Sequence, residues 1–184
     1  MCDIEILIDN TFPIIEGMLK RSGSFPLQAS VIKPDSMFTR VSTYNGAEGT
    51  SSAELITELK KAFRKKTGCY RSVAVFSDII TVDPNTSLQT QAIKVYIEAK
   101  NEPSAYIFYY PYSIAGNRQV RYSDTWSQIT RKEIFDESEA GPEIPVFIQQ
   151  PEISDDAISG RARRSALEKF WGRQSRPASR FTPK

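Results

Sequence analysis

The stretch around Tyr70 to Tyr112 most constrains what this chain can fold into. Three runs there, CYRSVAVFSDIITV, SLQTQAIKVYIEA and SAYIFYYPYSI, are rich in β-branched and aromatic residues, the mark of strands. Turn chemistry breaks them: Asp83-Pro84-Asn85-Thr86, then Lys100-Asn101-Glu102-Pro103. Connections this short join antiparallel neighbours, so the three runs form an up-down-up meander.

The elements before it have their own punctuation. Over residues 3–21, Ile4, Ile8, Phe12, Ile15 and Leu19 fall on one helical face, widened by Leu7, Ile14 and Met18. Pro13 is expected to kink or split this helix, with Asn10 and Thr11 capping a restarted half and Gly23 closing it. FPLQASVIK and MFTRVSTYN, parted by Pro34-Asp35-Ser36, make a hairpin. Ser51 to Glu54 has capping-box spacing and opens a second helix, whose inward stripe is Leu55, Ile56, Leu59 and Phe63 and whose end is Lys65, Lys66 and Gly68. The basic run KKAFRKK reads as a solvated helix end.

These elements predict an α+β domain: a five-stranded antiparallel sheet with helices packed on it, in the order α-β-β-α-β-β-β, with a C-terminal extension. The core domain spans 3–115. An extension, 116–153, offers a short strand at 118–124, a short helix or irregular segment at 126–135, and an edge strand in PVFIQQP. Residues 154–184 hold a basic helix followed by a disordered tail.

Within the meander, Ile93, Val95 and Ile97 alternate with Lys94, Tyr96 and Glu98, giving one dry face and one half-wet face. The next run is apolar on both faces. Its Tyr106, Phe108, Tyr110 and Tyr112 either lie under a cover or await a partner, and they are the candidate partner-binding residues.

The chemistry that can be excluded is broad. The 184 residues include no histidine, which removes His-based acid–base work and His-activated nucleophiles. Cys2 and Cys69 are too few for a disulfide framework or a zinc site, and Cys69, at the start of a strand, is expected to be buried. No glycine-rich loop joins a strand to a helix, so no nucleotide cradle is expected, and neither a cofactor nor a metal is implied. Asp78, Asp83 and Glu98 are the one set of acids that could share a carboxylate site, although turn and strand-end acids are ordinarily solvated. The start, MCDIEILIDN, has acids where a signal peptide has lysines, and no run reaches membrane-spanning length, so a cytoplasmic protein is expected.

The small net charge of +2 conceals an asymmetry. Residues 1–159 hold 16 Lys and Arg against 21 Asp and Glu, a net −5, whereas 160–184 hold 8 against 1, a net +7. Arg161, Arg163, Arg164, Lys169 and Arg173, around Phe170 and Trp171, are candidate anion-binding residues for nucleic acid or an anionic membrane. A dedicated nucleic-acid reader would be basic in its body as well.

Several segments carry a resemblance: FPxxEGML (Phe12–Leu19), SFPLQA (Ser24–Ala29), SSAELI (Ser51–Ile56), YRSVAVFSD (Tyr70–Asp78), QAIKVYIE (Gln91–Glu98) and YYPY (Tyr109–Tyr112). Together, over about 3–113, they resemble a family of small bacterial domains whose activity has not been established. The order of elements is similar to the Roadblock and profilin-like domains, which implies a five-stranded antiparallel sheet with helices on its faces. Neither resemblance implies a reaction. The expectation is a non-catalytic interaction domain that binds a protein partner or a second copy of itself, through the aromatic face or a free sheet edge. The alternatives are an immunity-type inhibitor of a toxin and association with nucleic acid or an anionic membrane through the tail.

Overall fold

The computed structural model describes residues 2–41 and 51–135, together with the backbone of 146–148. Helix α1 (Asp3–Ser22) buries Ile4, Leu7, Ile8, Phe12, Ile15 and Leu19, the stripe that the 3.6-residue period dictates. Pro13 does not split it. The ring lies on the exposed side, where water can satisfy the carbonyl left without a donor. Asn10 and Thr11 therefore cap nothing: Asn10 Nδ2 donates to the Ile6 carbonyl, and Thr11 Oγ1 donates to Ser30 Oγ in the core. Gly23, at φ 77°, closes the helix in the left-handed conformation that glycine takes most readily, its N–H donating to the Leu19 carbonyl at 2.9 Å.

Strands β1 (Gln28–Ile32) and β2 (Phe38–Val41) form the expected hairpin. Helix α2 (Ser52–Arg64) begins on the Ser51–Glu54 capping box. Its end differs from expectation. After Lys65 the chain passes through a 3-10 turn over Thr67–Cys69 and enters β3 (Ser72–Val82) only three residues later. Cys69 is thus exposed, because it belongs to that turn and not to the strand.

β4 (Gln89–Ala99) and β5 (Ala105–Ile114) complete the meander. The first turn is an Asx turn, in which Asp83 Oδ1 accepts from the Asn85 N–H at 2.7 Å.

The sheet is larger than the five strands expected. β6 (Val120–Tyr122) pairs with the C-terminal end of β5, and β7 (Trp126–Thr130) pairs with its N-terminal half. Pro111 lies between the two pairings, where a residue without an N–H costs the ladder least. β8 (Val146–Ile148) adds to β7, as the edge-strand reading of PVFIQQP anticipates. The path is β2-β1-β3-β4-β5-β7-β8, with every pairing antiparallel and β6 to one side. The segment from 126, expected as a short helix or irregular, is a strand because β5 presents it with an open ladder of N–H and C=O groups. Pairing overrides its weak local signal.

Side chains alternate across this sheet. α1 covers one face: the Phe12 ring meets Phe76, Tyr110 and Tyr122 at 6.4, 4.7 and 6.1 Å between centroids. α2 lies over the other, where Phe63 is buried with Val73, Val75 and Tyr96, and where Ile56 and Leu59 pack against the same cluster. The face expected to be half-wet is therefore roofed, and Tyr96 and Glu98 are buried.

Candidate functional site

The face under α2 is built in rows that follow from register. Across the strands run Ser77–Lys94–Tyr109–Trp126, then Val75–Tyr96–Ile107–Gln128, then Val73–Glu98 beside Ala105–Thr130. Ile56 and Lys60 of α2 stand above the middle row, and residues 129–133 close one side. Between them lies a cavity of about 290 Å³. Its floor is mixed: Val75, Ile107 and the Tyr96 ring are apolar or aromatic, whereas Ser77, Gln128 and Thr130 bring hydroxyls and an amide.

The charged members are Lys60, Lys94, Arg131 and Glu133. Lys60 is fully engaged. Its Nζ donates to Glu133 Oε1 at 2.7 Å and sits 3.6 Å from the Tyr96 ring centroid, with only 16% of the side chain exposed. Lys94 is not engaged in this way. It lies opposite Ser77 and Tyr109, 6.0 Å from the Tyr109 ring centroid, and among the described residues no acceptor reaches its ammonium. Burial pushes its pKa below the ordinary lysine value and the charge on Lys60 pushes the same way, with Glu133 opposing.

A second polar cluster anchors the cavity wall. Glu98, wholly buried, accepts from the phenol of Tyr96, two residues back on the same face, and from three successive N–H groups: Glu133 at 2.5 Å, Ile134 at 2.9 and 3.0 Å, and Phe135 at 2.9 Å. Converging backbone donors are a ready-made anion site, here filled from within. Burial, and next the charge on Glu98, raise the Tyr96 pKa far above the phenol range. Arg64 clasps the same segment, its Nε donating to the Glu133 carbonyl at 2.7 Å and its Nη2 to the same oxygen.

The residues singled out from sequence lie elsewhere. Tyr106, Phe108, Tyr110 and Tyr112 are between 1% and 3% exposed, so they form core on the α1 face and not a surface for a partner. Their excess of rings is accounted for by α1 packing on them, as Phe12 does on Tyr110. Asp78, Asp83 and Glu98 do not converge. Asp78 accepts from the Tyr112 phenol at 2.8 Å on the α1 face, Asp83 holds its turn, and Glu98 points to the α2 face. Asp78 pairs with Ile93 and Glu98 with Val73, so the two acids stand about 17 Å apart along the strands. Among the described residues no three His, Cys, Asp or Glu are grouped to hold a metal ion. Arg161, Arg163, Arg164, Lys169 and Arg173 lie outside the described residues.

Sequence reasoning missed Lys60, Lys94, Arg131 and Glu133. One signal was available: Ile56, Lys60 and Phe63, spaced by four and three, place Lys60 on the buried side of α2 and not on its solvated end. Glu133 carried no local signal, since only the folding of 131–135 against Glu98 brings it to Lys60.

Among the described residues no helix is long and apolar enough to cross a membrane. No protein-family model matches the chain, and neither does any curated protein or solved structure.

Proposed function

We propose that this chain is a non-catalytic interaction domain whose cleft under α2 receives an acidic group of a protein partner. One observation carries the reading: a half-buried lysine, Lys94, faces a cavity with no acceptor at its ammonium among the described residues, while a second lysine stands close by. A protein carboxylate supplies the missing charge, and Ser77 and Gln128 flank its position. The cavity suits one side chain better than a large ligand, since about 150 Å³ holds a benzene molecule and drug-sized ligands need 300 Å³ or more.

An NMR titration with a capped hexaglutamate, against a Gly-Ser peptide of equal length, tests this. Amides of Val75, Ser77, Lys94, Tyr96 and Ile107 should shift with the acidic peptide, less as salt rises, and not at all in Lys94→Met. Cleft amides that ignore hexaglutamate in the wild type would defeat the reading.

A second mode, self-association, is favoured by the β3–β4 hairpin. Among the described residues, β1 pairs with β3 only up to Phe76 and β5 with β4 only from Ala92, so 79–91 project as a two-stranded arm. That arm exposes 72% of Ile80, 54% of Val82 and 67% of Leu88. Light scattering on wild type and Ile80→Lys over a concentration series checks it, and a wild type that stays monomeric throughout rejects it.

A further inference from the structure

Lys94 differs from the other cleft lysine in what surrounds it. Lys60 has a carboxylate and a ring. Of the lysines away from the cleft, Lys61 pairs with Glu58, Lys132 donates to the Lys100 carbonyl, and Lys100 lies over Phe135. Each of these contacts favours an ammonium. Lys94 also lies 6.0 Å from a ring centroid, that of Tyr109, but it alone of these combines partial burial, a cationic neighbour and an adjoining cavity with no acceptor among the described residues. Desolvation beside another cation is the arrangement that frees a lysine amine for attack on a carbonyl.

We propose that Lys94 is a reactive amine that condenses with the carbonyl of a small anionic aldehyde or 2-oxo acid, forming an imine in the cleft.

The unprotonated Nζ adds to the carbonyl carbon to give a carbinolamine. The carbonyl oxygen then leaves as water, taking both amine hydrogens, and a C=N bond replaces C=O without any oxidant or reductant. Lys60 exchanges Glu133 for the carboxylate of the incoming acid, and the Tyr96 and Ile107 floor accommodates a short carbon chain. The titratable and charged groups facing Lys94 are Lys60 from α2, Arg131 and Glu133 from the 131–135 segment, Tyr96 on its own strand and Tyr109 on β5. Burial and the Lys60 charge favour the neutral amine, while Glu133 opposes it. The step goes beyond noncovalent capture of an acidic side chain and does not require it.

The test is reductive trapping. The full chain is incubated with glyoxylate and cyanoborohydride from pH 6 to 10, with uncharged propanal as the control, and labelled lysines are mapped by peptide mass spectrometry. Lys94 should be labelled faster at pH 7.5 than Lys61 or Lys65, because burial and the neighbouring Lys60 charge leave more of its amine unprotonated. Its pH midpoint should lie below the ordinary lysine value, glyoxylate should outrun propanal at Lys94 alone, and Lys60→Met should abolish that preference. Lys94 labelling no faster than Lys61, or indifferent to the probe's charge, overturns the proposal, and needs no variant to be seen. If trapping fails while hexaglutamate still shifts the cleft amides, the imine is refuted and the binding reading stands; the reverse result refutes the binding reading alone.

Discussion

Replacing Glu98 by Gln is the sharpest probe of what holds the cavity wall in place. The carboxylate receives four groups, all donors: the Tyr96 phenol and the N–H groups of Glu133, Ile134 and Phe135. In Glu98→Gln the amide oxygen can keep the partners of Oε1, but as neutral bonds, a loss of about 1 kcal/mol each. The amide nitrogen then faces the Phe135 N–H, donor against donor, and a buried donor left unsatisfied costs about 1–3 kcal/mol. Against this, an amide is less costly to bury than a carboxylate. The balance is a destabilisation of about 2–4 kcal/mol. Urea unfolding should show it as a lower midpoint at unchanged m-value, because the area buried hardly changes. Hydrogen exchange should quicken at 133–135 while the β3–β4 ladder from Val73 to Tyr96 keeps the slowest rates. A loss below about 0.5 kcal/mol, the range of an ordinary surface change, or unaltered exchange at 133–135, would refute the idea that this carboxylate fastens the segment.

Other perturbations follow from the same structure. Phe12→Ala removes a fully buried ring from between α1 and the sheet and should cost about 3–5 kcal/mol in a denaturant titration. Ser51→Ala deletes the hydroxyl that caps α2 and should cost about 0.5–2 kcal/mol, with Ser51→Gly recovering most of it. For Asp3, burial opposes ionisation, but hydrogen bonds from Arg71 and Ser72, with the Arg71 charge, outweigh it and hold the pKa below 3.8. Its contribution is therefore complete above pH 3.8 and lost as pH falls through the lower, folded-state value; Asp3→Asn should flatten that part of an acid titration of stability. Lys94 has the opposite sign. Its folded-state pKa is depressed, so the unfolded chain binds more protons just below pH 10.5 and stability rises with pH there, a rise that Lys94→Met should abolish.

Period and punctuation were enough to place both helices, the hairpin and the meander, since apolar spacing and cap chemistry are local properties of the chain. The Ser51–Glu54 box, the Gly23 cap and the Asp83 turn are each settled within a few residues. Burial on a given face was not local. The same alternation that made Lys94, Tyr96 and Glu98 look half-wet is compatible with a roofed face, and α2 together with 131–135 decides for the roof. Likewise the rings of Tyr106 to Tyr112 are equally suited to core or to surface, and the docking of α1 made them core. The cleft belongs wholly to tertiary structure. Lys60, Lys94 and Glu133 come from a helix, a strand and a returning segment, and the distance between them along the chain carries no sign of the distance in space. What the sequence determined by itself was where each element starts, stops and turns apolar; which elements cover which face, and so which charges meet under α2, was decided only when they packed, because desolvation and ion pairing depend on neighbours far away in the chain.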